Sequence, residues 1–482
     1  MNRISFFLIS LFLVSFLSGQ TIEDALRYSQ LSPTGTARFA GTAGALTPLG
    51  ADFTTLSTNP AGIGWVRRGY FVITPGIQSQ NSTSQLFEGT NSGPQDASKG
   101  RFTLPNIGAV FSTETRSLYF PTFNIGIGFN RLADFNETIN YSGNSPGSLV
   151  QSFVEDANDG LFSDFRNELA FEVDAILEDN QGFFSDFLSN PDGVIRREGN
   201  VARTGGMSEF VLGFGGNYRD KVMWGATLGV PFMNFKEERE YNEIDSDNEI
   251  EFFDDLSYDE SLETNGNGIN FKFGLIYRAS QALRISAAVH SPTFWSIDET
   301  YETTFSYAYT DADNVAQGGT ALSPTSEFAY NLQTPWRVLL GVGSVISNKA
   351  FISADFDYVN YQGNKFSYDD FATEAEDLNN NIDSFLTSGI SMRVGGEINL
   401  KPFQLRAGGG IQTFPLKDFD QSDLLLSAGA GYRKGSFFMD IAYQYLGRNR
   451  IFQPYSTFRL DPQQFDVDYV RHNFLLSAGV LF

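Results

Sequence analysis

The chain ends at residues 472–482 with HNFLLSAGVLF, in which apolar and small or polar side chains alternate. Alternate positions of a strand with this sequence present one apolar face, formed by Phe474, Leu476, Ala478, Val480 and Phe482. Asn473, Ser477 and Gly479 fall largely on the other face. A closed transmembrane barrel requires this pattern, because lipid contacts one side of each strand and the lumen contacts the other. The stretch therefore predicts a membrane-spanning strand.

The same period of two recurs along the chain and predicts about fourteen strands, an even number as in bacterial single-chain barrels. Their expected positions are 70–76, 106–112, 123–131, 208–218, 222–232, 269–278, 282–290, 336–346, 351–361, 390–398, 403–413, 424–432, 437–446 and 472–482. The sequence thus predicts an all-β fold, an antiparallel transmembrane β-barrel.

Composition agrees with a barrel more readily than with the alternative, a large soluble all-β protein. Aromatic residues make up 15% of the 482 residues, with 47 Phe, 20 Tyr and 47 Gly, while the hydrophobic share is 41%. Strands that bury one face in lipid and present small or polar residues to a crowded lumen have this mixture. The net charge of −24 argues against a nucleic-acid partner, since phosphate binding depends on clustered Lys and Arg.

The N-terminus is typical of a secretory signal peptide. Arg3 precedes an apolar run over 4–16, and the small residues Ser18-Gly19 follow. This run is too short to span a bilayer, and no later stretch reaches the roughly 18 apolar residues that a spanning helix needs. We expect residues 1–20 to be removed and the exported chain to insert into the bacterial outer membrane, in contact with its lipid.

The connections between predicted strands are of two kinds. Residues 219–221, 279–281, 347–349 and 434–435 form tight turns, whereas 134–204 and 235–266 are long. Outer-membrane barrels place short turns in the periplasm and long loops outside, so we expect two long acidic outer loops. In one of them, Asp245-x-Asp247-x-Glu249 fits either a solvated surface or a divalent-cation site. It lacks the turn glycine of an EF-hand loop, and we predict no metal.

The segment before the first predicted strand, residues 21–68, lacks strand periodicity. It is rich in Gly, Ala and Thr, with a short helical pattern at 22–30 and turn chemistry at Asn59-Pro60. It has too little apolar surface to fold alone. We predict that it fills the lumen as a plug and that residues 69–482 form the barrel.

One motif carries a resemblance to a known family. The order Gly35-x-x-Arg38-x-x-Gly41-x-x-Gly44-Ala45, followed by Asn59-Pro60-Ala61-Gly62, resembles the N-terminal hatch of the FadL and TodX outer-membrane transporters. The resemblance implies a fourteen-stranded barrel with a hatch in its lumen. It also implies passive uptake of long-chain fatty acids or aromatic hydrocarbons, with lateral exit between strands.

Strand parity predicts which charged residues face the lumen. If apolar residues face lipid, the inward positions include Lys272, Arg284, Arg337, Arg393, Arg406, Asp355, Asp357, Glu397 and Asp440. Charges inside a barrel need water or partners, so these groups either pair with each other or the hatch, or leave one cation free. In the second case we expect Arg337 or Lys272 to bind a ligand carboxylate.

Two other classes of function compete with transport. A barrel enzyme would need a Ser/His or Asp/His constellation, and the only histidines are His290 and His472. Glycine runs such as 408–410 lie within strands, so they do not predict a phosphate loop, and we expect neither catalysis nor a cofactor. The other class is a docking or shuttle subunit of a protein secretion system, which long acidic loops would suit.

Overall fold

The computed structural model describes residues 21–87, 93–347, 349–417, 419–455, 457 and 463–482. The signal peptide expected at residues 1–20 lies outside these ranges. The helices are α1 (Ile22–Arg27), α2 (Ala37–Ala40), α3 (Leu149–Asn158), α4 (Asn167–Glu172) and α5 (Ala372–Phe385), with 3-10 helices at Phe53–Ser57, Pro60–Trp65, Asp186–Leu188 and Tyr361–Gly363. No helix in the described ranges is long and apolar enough to cross a membrane.

The described chain is mostly strand. In chain order the strands are β1 (Tyr70–Leu86), β2 (Gln95–Glu114), β3 (Thr122–Asp134), β4 (Glu137–Pro146), β5 (Leu177–Asp179), β6 (Gly182–Phe184), β7 (Val194–Tyr218), β8 (Val222–Ile244), β9 (Phe253–Arg278), β10 (Leu283–His290), β11 (Phe294–Thr310), β12 (Ala316–Leu322), β13 (Ser326–Gln333), β14 (Arg337–Ile346), β15 (Ala350–Asn360), β16 (Lys365–Ser367), β17 (Ser388–Leu400), β18 (Phe403–Thr413), β19 (Ser422–Lys434), β20 (Phe437–Phe452) and β21 (Phe465–Leu481).

Fourteen of these strands close into an antiparallel barrel, as the sequence predicted. Closure occurs where β21 pairs with β1, from Tyr70 opposite Leu481 to Leu86 opposite Phe465. The order around the barrel is β1, β2, β3, β7, β8, β9, β10, β14, β15, β17, β18, β19, β20, β21. Closure leaves no open sheet edge at membrane depth, where an unpaired backbone group would cost several kcal/mol.

Side-chain polarity along β8 marks the part of the wall that faces lipid. Over residues 222–232 the outward positions are Val222, Trp224, Ala226, Leu228, Val230 and Phe232. This matches the roughly 9–11 residues that a tilted strand needs to cross a bilayer. Beyond Phe232 the outward residues become Asn234, Lys236, Glu238 and Glu240, so the strand continues outside the membrane.

The outer halves of several strands are long extensions, and here the expectation of long loops is wrong. Most of residues 235–266 belong to the outer ends of β8 and β9. The two strands are paired from Ile244 opposite Asp255 toward the membrane. Phe235 and Tyr241 are buried inside there, together with the carboxylates of Glu237 and Glu243, and the outward positions are charged. At the turn between them, the Asp245 carboxylate accepts hydrogen bonds from the backbone of Glu249 and Ile250, at 3.0 and 2.7 Å.

The carboxylates of that turn do not form the alternative cation site. Among the residues that the structure describes, no group of three or more His, Asp or Glu side chains is placed to hold a metal ion. Asp245 instead holds the turn through the two backbone bonds of its own carboxylate.

Residues 147–193, which we call the outer cap, fold over the outer mouth instead of forming an open loop. Phe153 of α3 packs edge-on against Tyr258 and Phe305, with ring centroids 5.8 and 5.7 Å apart. Asp186 accepts a hydrogen bond of 2.7 Å from the Tyr307 hydroxyl. Burial raises the pKa of Asp186, although the Tyr307 bond acts in the opposite direction. The cap therefore shares an apolar core with the strand extensions.

Candidate functional site: the barrel lumen

Residues 21–68, which we call the N-terminal segment, lie inside the barrel. Between residues 36 and 64 nearly every side chain is buried. The segment bonds to inward-facing groups on well-separated strands. These bonds include Thr47 Oγ1 to Asp355 on β15 at 2.7 Å, Ser57 Oγ to Glu209 on β7 at 2.9 Å, and the Ala37 amide to Ser477 on β21 at 2.7 Å. Because these strands surround the lumen, the bonds hold the segment from several sides.

The Asn59-Pro60-Ala61-Gly62 part of the motif begins the 3-10 helix Pro60–Trp65. Asn59 caps this helix, because its Oδ1 accepts a hydrogen bond of 3.2 Å from the Ala61 amide. Its Nδ2 donates to the carbonyl of Thr47 at 3.0 Å, which fastens two turns of the segment together. Gly62 lies against Gly50, where a Cβ on Gly50 would be 2.5 Å from the Cα of Gly62.

The first part of the motif positions Arg38 and allows close backbone contacts. The Nη1 of Arg38 donates to the Ala51 carbonyl at 2.9 Å, and its Nε lies 3.4 Å from Glu397 on β17. Gly35 has φ +152°, and a Cβ there would overlap the side chain of Thr54 at 2.3 Å. A Cβ on Gly41 would lie 3.3 Å from the Cα of Gly429 on β19. These residues are therefore required for packing within and around the N-terminal segment.

The wall carries a ring of glycines where it meets the segment. A Cβ added to any of them would lie between 1.9 and 2.5 Å from an atom of the N-terminal segment. We call this set the glycine belt: Gly108, Gly126, Gly213, Gly225, Gly274, Gly341, Gly395 and Gly408. A glycine inside a strand can mark a kink or make room for a neighbouring chain. In the structure Gly213 faces Leu56 and makes room.

Lys272 and Arg337, the two candidate ligand-binding cations, are both paired. The Nζ of Lys272 contacts the carboxylate of Glu209, and the two side chains are 3% and 0% exposed. Arg337 lies 2.6 Å from Asp357 and donates to the carbonyl of Ser29 at 3.2 Å. Of the two alternatives, the structure therefore shows pairing, because each cation has a carboxylate on a nearby strand. Contact with a ligand stays a prediction for both.

The remaining lumen charges also lie where parity placed them. Arg406 bonds Glu397 at 2.6 Å and Asp440 at 2.7 Å, and Arg393 lies 3.9 Å from Asp357. Arg284 differs from the other four predicted cations, because no carboxylate of the described chain lies within ion-pairing distance of it. Its guanidinium lies over the ring of Trp65 instead, 4.0 Å from the centroid.

Two elements of the lumen were missed by the sequence reasoning. Ile22 and Leu26 on the apolar side of α1, and Tyr28 just after it, pack in a cluster with Trp295, Leu332, Tyr361 and residues of α5. Glu209 was also missed, although it is the one acidic residue within residues 204–219 and thus could have been noticed as an inward charge.

His290, which the sequence analysis considered for the enzyme alternative, contacts the N-terminal segment. One of its ring nitrogens, Nε2, lies 2.6 Å from the Thr58 carbonyl oxygen.

In the described part of the wall, the pairing between β2 and β3 stops before either strand ends. The β2–β3 ladder runs from Glu114 opposite Thr122 only as far as Asn106 opposite Asn130, although both strands continue outward in the described chain. Strand β4 continues outward from β3 and lies on the lumen side of β1. There the Ser82 hydroxyl donates a hydrogen bond to the Thr138 carbonyl at 2.5 Å. Lateral exit, which the resemblance implies, would have to separate this contact, and it stays a prediction.

Comparisons with known proteins give structural matches only. No protein-family model matches the sequence, and no curated protein matches it. A FadL homologue from Pseudomonas aeruginosa is 12% identical, covers 94% of this chain and 99% of its own, and superposes with a TM-score of 0.58. The toluene transporter TodX of Pseudomonas putida is 10% identical at the same coverages, with a TM-score of 0.53. The described chain thus forms a closed β-barrel with the fold of the FadL and TodX proteins, as the motif at residues 35–62 had suggested.

Proposed function

We propose that this protein carries hydrophobic small molecules, such as long-chain fatty acids or aromatic hydrocarbons, passively across the bacterial outer membrane. The observation that carries this proposal is a lumen filled by a non-covalently held segment. A barrel closed in this way excludes water and ions, yet its plug is retained only by hydrogen bonds, ion pairs and packing. The similarity in fold to TodX, described as a toluene transporter, supports the same class of ligand.

The N-terminal segment acts in this proposal as the hatch. A ligand that reaches the outer half of the lumen meets the apolar cluster between α1 and α5. It can replace the side chains of Ile22 and Leu26 there, because the gain of about 0.8 kcal/mol for each ligand CH₂ that leaves water offsets the cost of exposing these two side chains. Binding and displacement of α1 therefore need no external energy source.

The test is to lock the segment to the wall. Thr47 Oγ1 lies 3.3 Å from Ser286 Oγ on β10, so the double variant T47C/S286C places two thiols in contact. The chain has no cysteine, hence this is the only disulfide that can form. We expect uptake of radiolabelled dodecanoate or toluene into proteoliposomes to fall at least about tenfold when the pair is oxidised and to recover on reduction.

A matched control places a disulfide away from the segment. Ser306 and Thr320 are opposite each other on β11 and β12, with hydroxyl oxygens 2.9 Å apart. Oxidised S306C/T320C should transport like the reduced protein. Unchanged uptake in the oxidised T47C/S286C protein would disprove the hatch, and absence of uptake in the unmodified protein would disprove transport. A protein partner that copurifies in native mass spectrometry, with no bound lipid, would favour the docking function instead.

A further inference from the structure

Beneath the N-terminal segment, at the end of the barrel with short turns, lies a cavity of about 320 Å³. Short turns face the periplasm in outer-membrane barrels, so the cavity opens toward that side. Its walls come from both the segment and the barrel: Leu49, Trp65, Arg284, Val345, Lys349 and Phe351. We call it the exit pocket. A volume of this order is typical of sites for small organic ligands.

Charge and polarity divide the exit pocket into two regions. Arg38, Arg284 and Lys349 supply three cations, and Glu397 is the carboxylate that lines it. Glu397 is already bonded by Arg406 at 2.6 Å and by Arg38 at 3.4 Å. Leu49, Val345 and Phe351 form an apolar wall beside the charged groups. The pocket therefore matches an anionic head group attached to an apolar chain.

The bonding of the Arg284 guanidinium is incomplete. It donates one long hydrogen bond, 3.3 Å from Nη1 to the Leu49 carbonyl, and its buried Nε has no partner in the described structure. The indole of Trp65 holds the guanidinium plane in place. A guanidinium with free donors binds a carboxylate through two parallel hydrogen bonds, and such charge-assisted bonds are roughly twice as strong as neutral ones.

We propose that the exit pocket binds the carboxylate of a fatty acid at Arg284, with the start of its acyl chain against Leu49, Val345 and Phe351. The inference rests on the proposed transport function and names its ligand class as carboxylate amphiphiles over neutral hydrocarbons. It also gives such ligands a way out at the periplasmic end of the segment, distinct from the break between β2 and β3.

The position of Trp65 allows a direct test. The triple variant W224F/W295F/W336F leaves Trp65 as the single tryptophan, because the chain has four. A bromine atom quenches indole fluorescence at short range, so 2-bromododecanoate should quench Trp65 when its carboxylate is bound at Arg284. Its methyl ester, which lacks the charge, should quench at least about tenfold less effectively at equal concentration.

Variants at two arginines separate the site from general partitioning. R284Q should raise the half-quenching concentration of the acid by about tenfold or more, and R284K should recover part of the loss. R68Q, an exposed arginine three positions from Trp65, should behave like the parent. Heat-dependent gel migration of each variant reports that the barrel is folded.

The outcomes distinguish this inference from the proposed function. Equal quenching by acid and ester, or an R284Q variant that keeps the parental half-quenching concentration, would overturn the exit pocket even if proteoliposomes take up dodecanoate. A protein that takes up no hydrophobic compound would overturn transport, whatever the fluorescence shows.

Discussion

Lys272 and Glu209 form an ion pair inside the wall of the lumen, and the energetics of such a pair depend on its completeness. Removing one partner leaves an uncompensated buried charge, whereas removing both can be nearly neutral. We expect K272M to lower the free energy of unfolding by about 3–5 kcal/mol and the double variant K272M/E209L to recover part of it, since Ser57 and Asn270 still lose their bonds to Glu209. Urea titration in lipid vesicles, followed by tryptophan fluorescence, measures both.

The same double variant tests the role in ligand binding that the sequence suggested for Lys272. It removes the cation without leaving a buried carboxylate, so the fold is retained while a ligand contact would be lost. Unchanged binding of dodecanoate by K272M/E209L, and by R337Q, would remove both residues from the ligand site. We expect a loss of binding from either substitution only if the ion pair opens when the ligand arrives.

Gly274 illustrates how little space separates wall and segment. A Cβ at this position would lie 1.9 Å from Oδ1 of Asn59, and Asn59 is held by two further hydrogen bonds. We expect G274A to destabilise the barrel by about 1–3 kcal/mol through overpacking. In the control G100A, the added Cβ meets only the Gln78 carbonyl at 4.0 Å, and we expect a change below about 0.5 kcal/mol.

Among the elements, the outer cap contacts the barrel through the half-buried carboxylate of Asp186, which makes the stability of the cap depend on pH. The folded-state pKa of Asp186 is raised by burial, so the folded cap binds more protons than the unfolded one between the two pKa values. This contribution to stability is complete below the unfolded pKa of 3.8 and is lost as the pH rises through the folded pKa.

The corresponding measurement is hydrogen exchange of α3 and α4, corrected for intrinsic rates. We expect protection to decrease as the pH rises from about 3 toward neutrality. In D186N, which keeps an oxygen for the Tyr307 hydroxyl, this dependence should weaken and protection at neutral pH should increase. An unaltered profile in D186N would show that another group controls the cap.

For the whole molecule, the lipid-facing band determines how the barrel sits in the membrane. Leu340 of β14 points outward within the band and is 48% exposed, whereas Glu238 of β8 points outward beyond it. We expect L340R to cost about 2–4 kcal/mol of unfolding free energy in vesicles, as arginine does at the bilayer midplane. E238R should change it by less than about 0.5 kcal/mol. Similar losses for both variants would place the band elsewhere.

The alternation of apolar and polar residues along the strands predicts some features of this architecture and not others. A period of two assigns each residue to a face, which is why the inward position of Lys272 and the outward position of Phe474 followed from the sequence. It does not identify partners, and Glu209 lies 63 residues from Lys272. The outer extensions were predicted to be loops because their outward positions carry charged residues such as Lys236, Glu238 and Glu240 instead of the apolar residues that face lipid.

The glycine belt has a consequence for the order of events during biogenesis. Its members come from β2, β3, β7, β8, β9, β14, β17 and β18, and each leaves a hollow that only the N-terminal segment fills. Once β21 has joined β1, the segment would have to enter a closed cylinder and pack against glycines on eight of its strands. We therefore expect the strands to pair around a segment that is already in place. The N-terminal segment then acts as the template for assembly of the barrel.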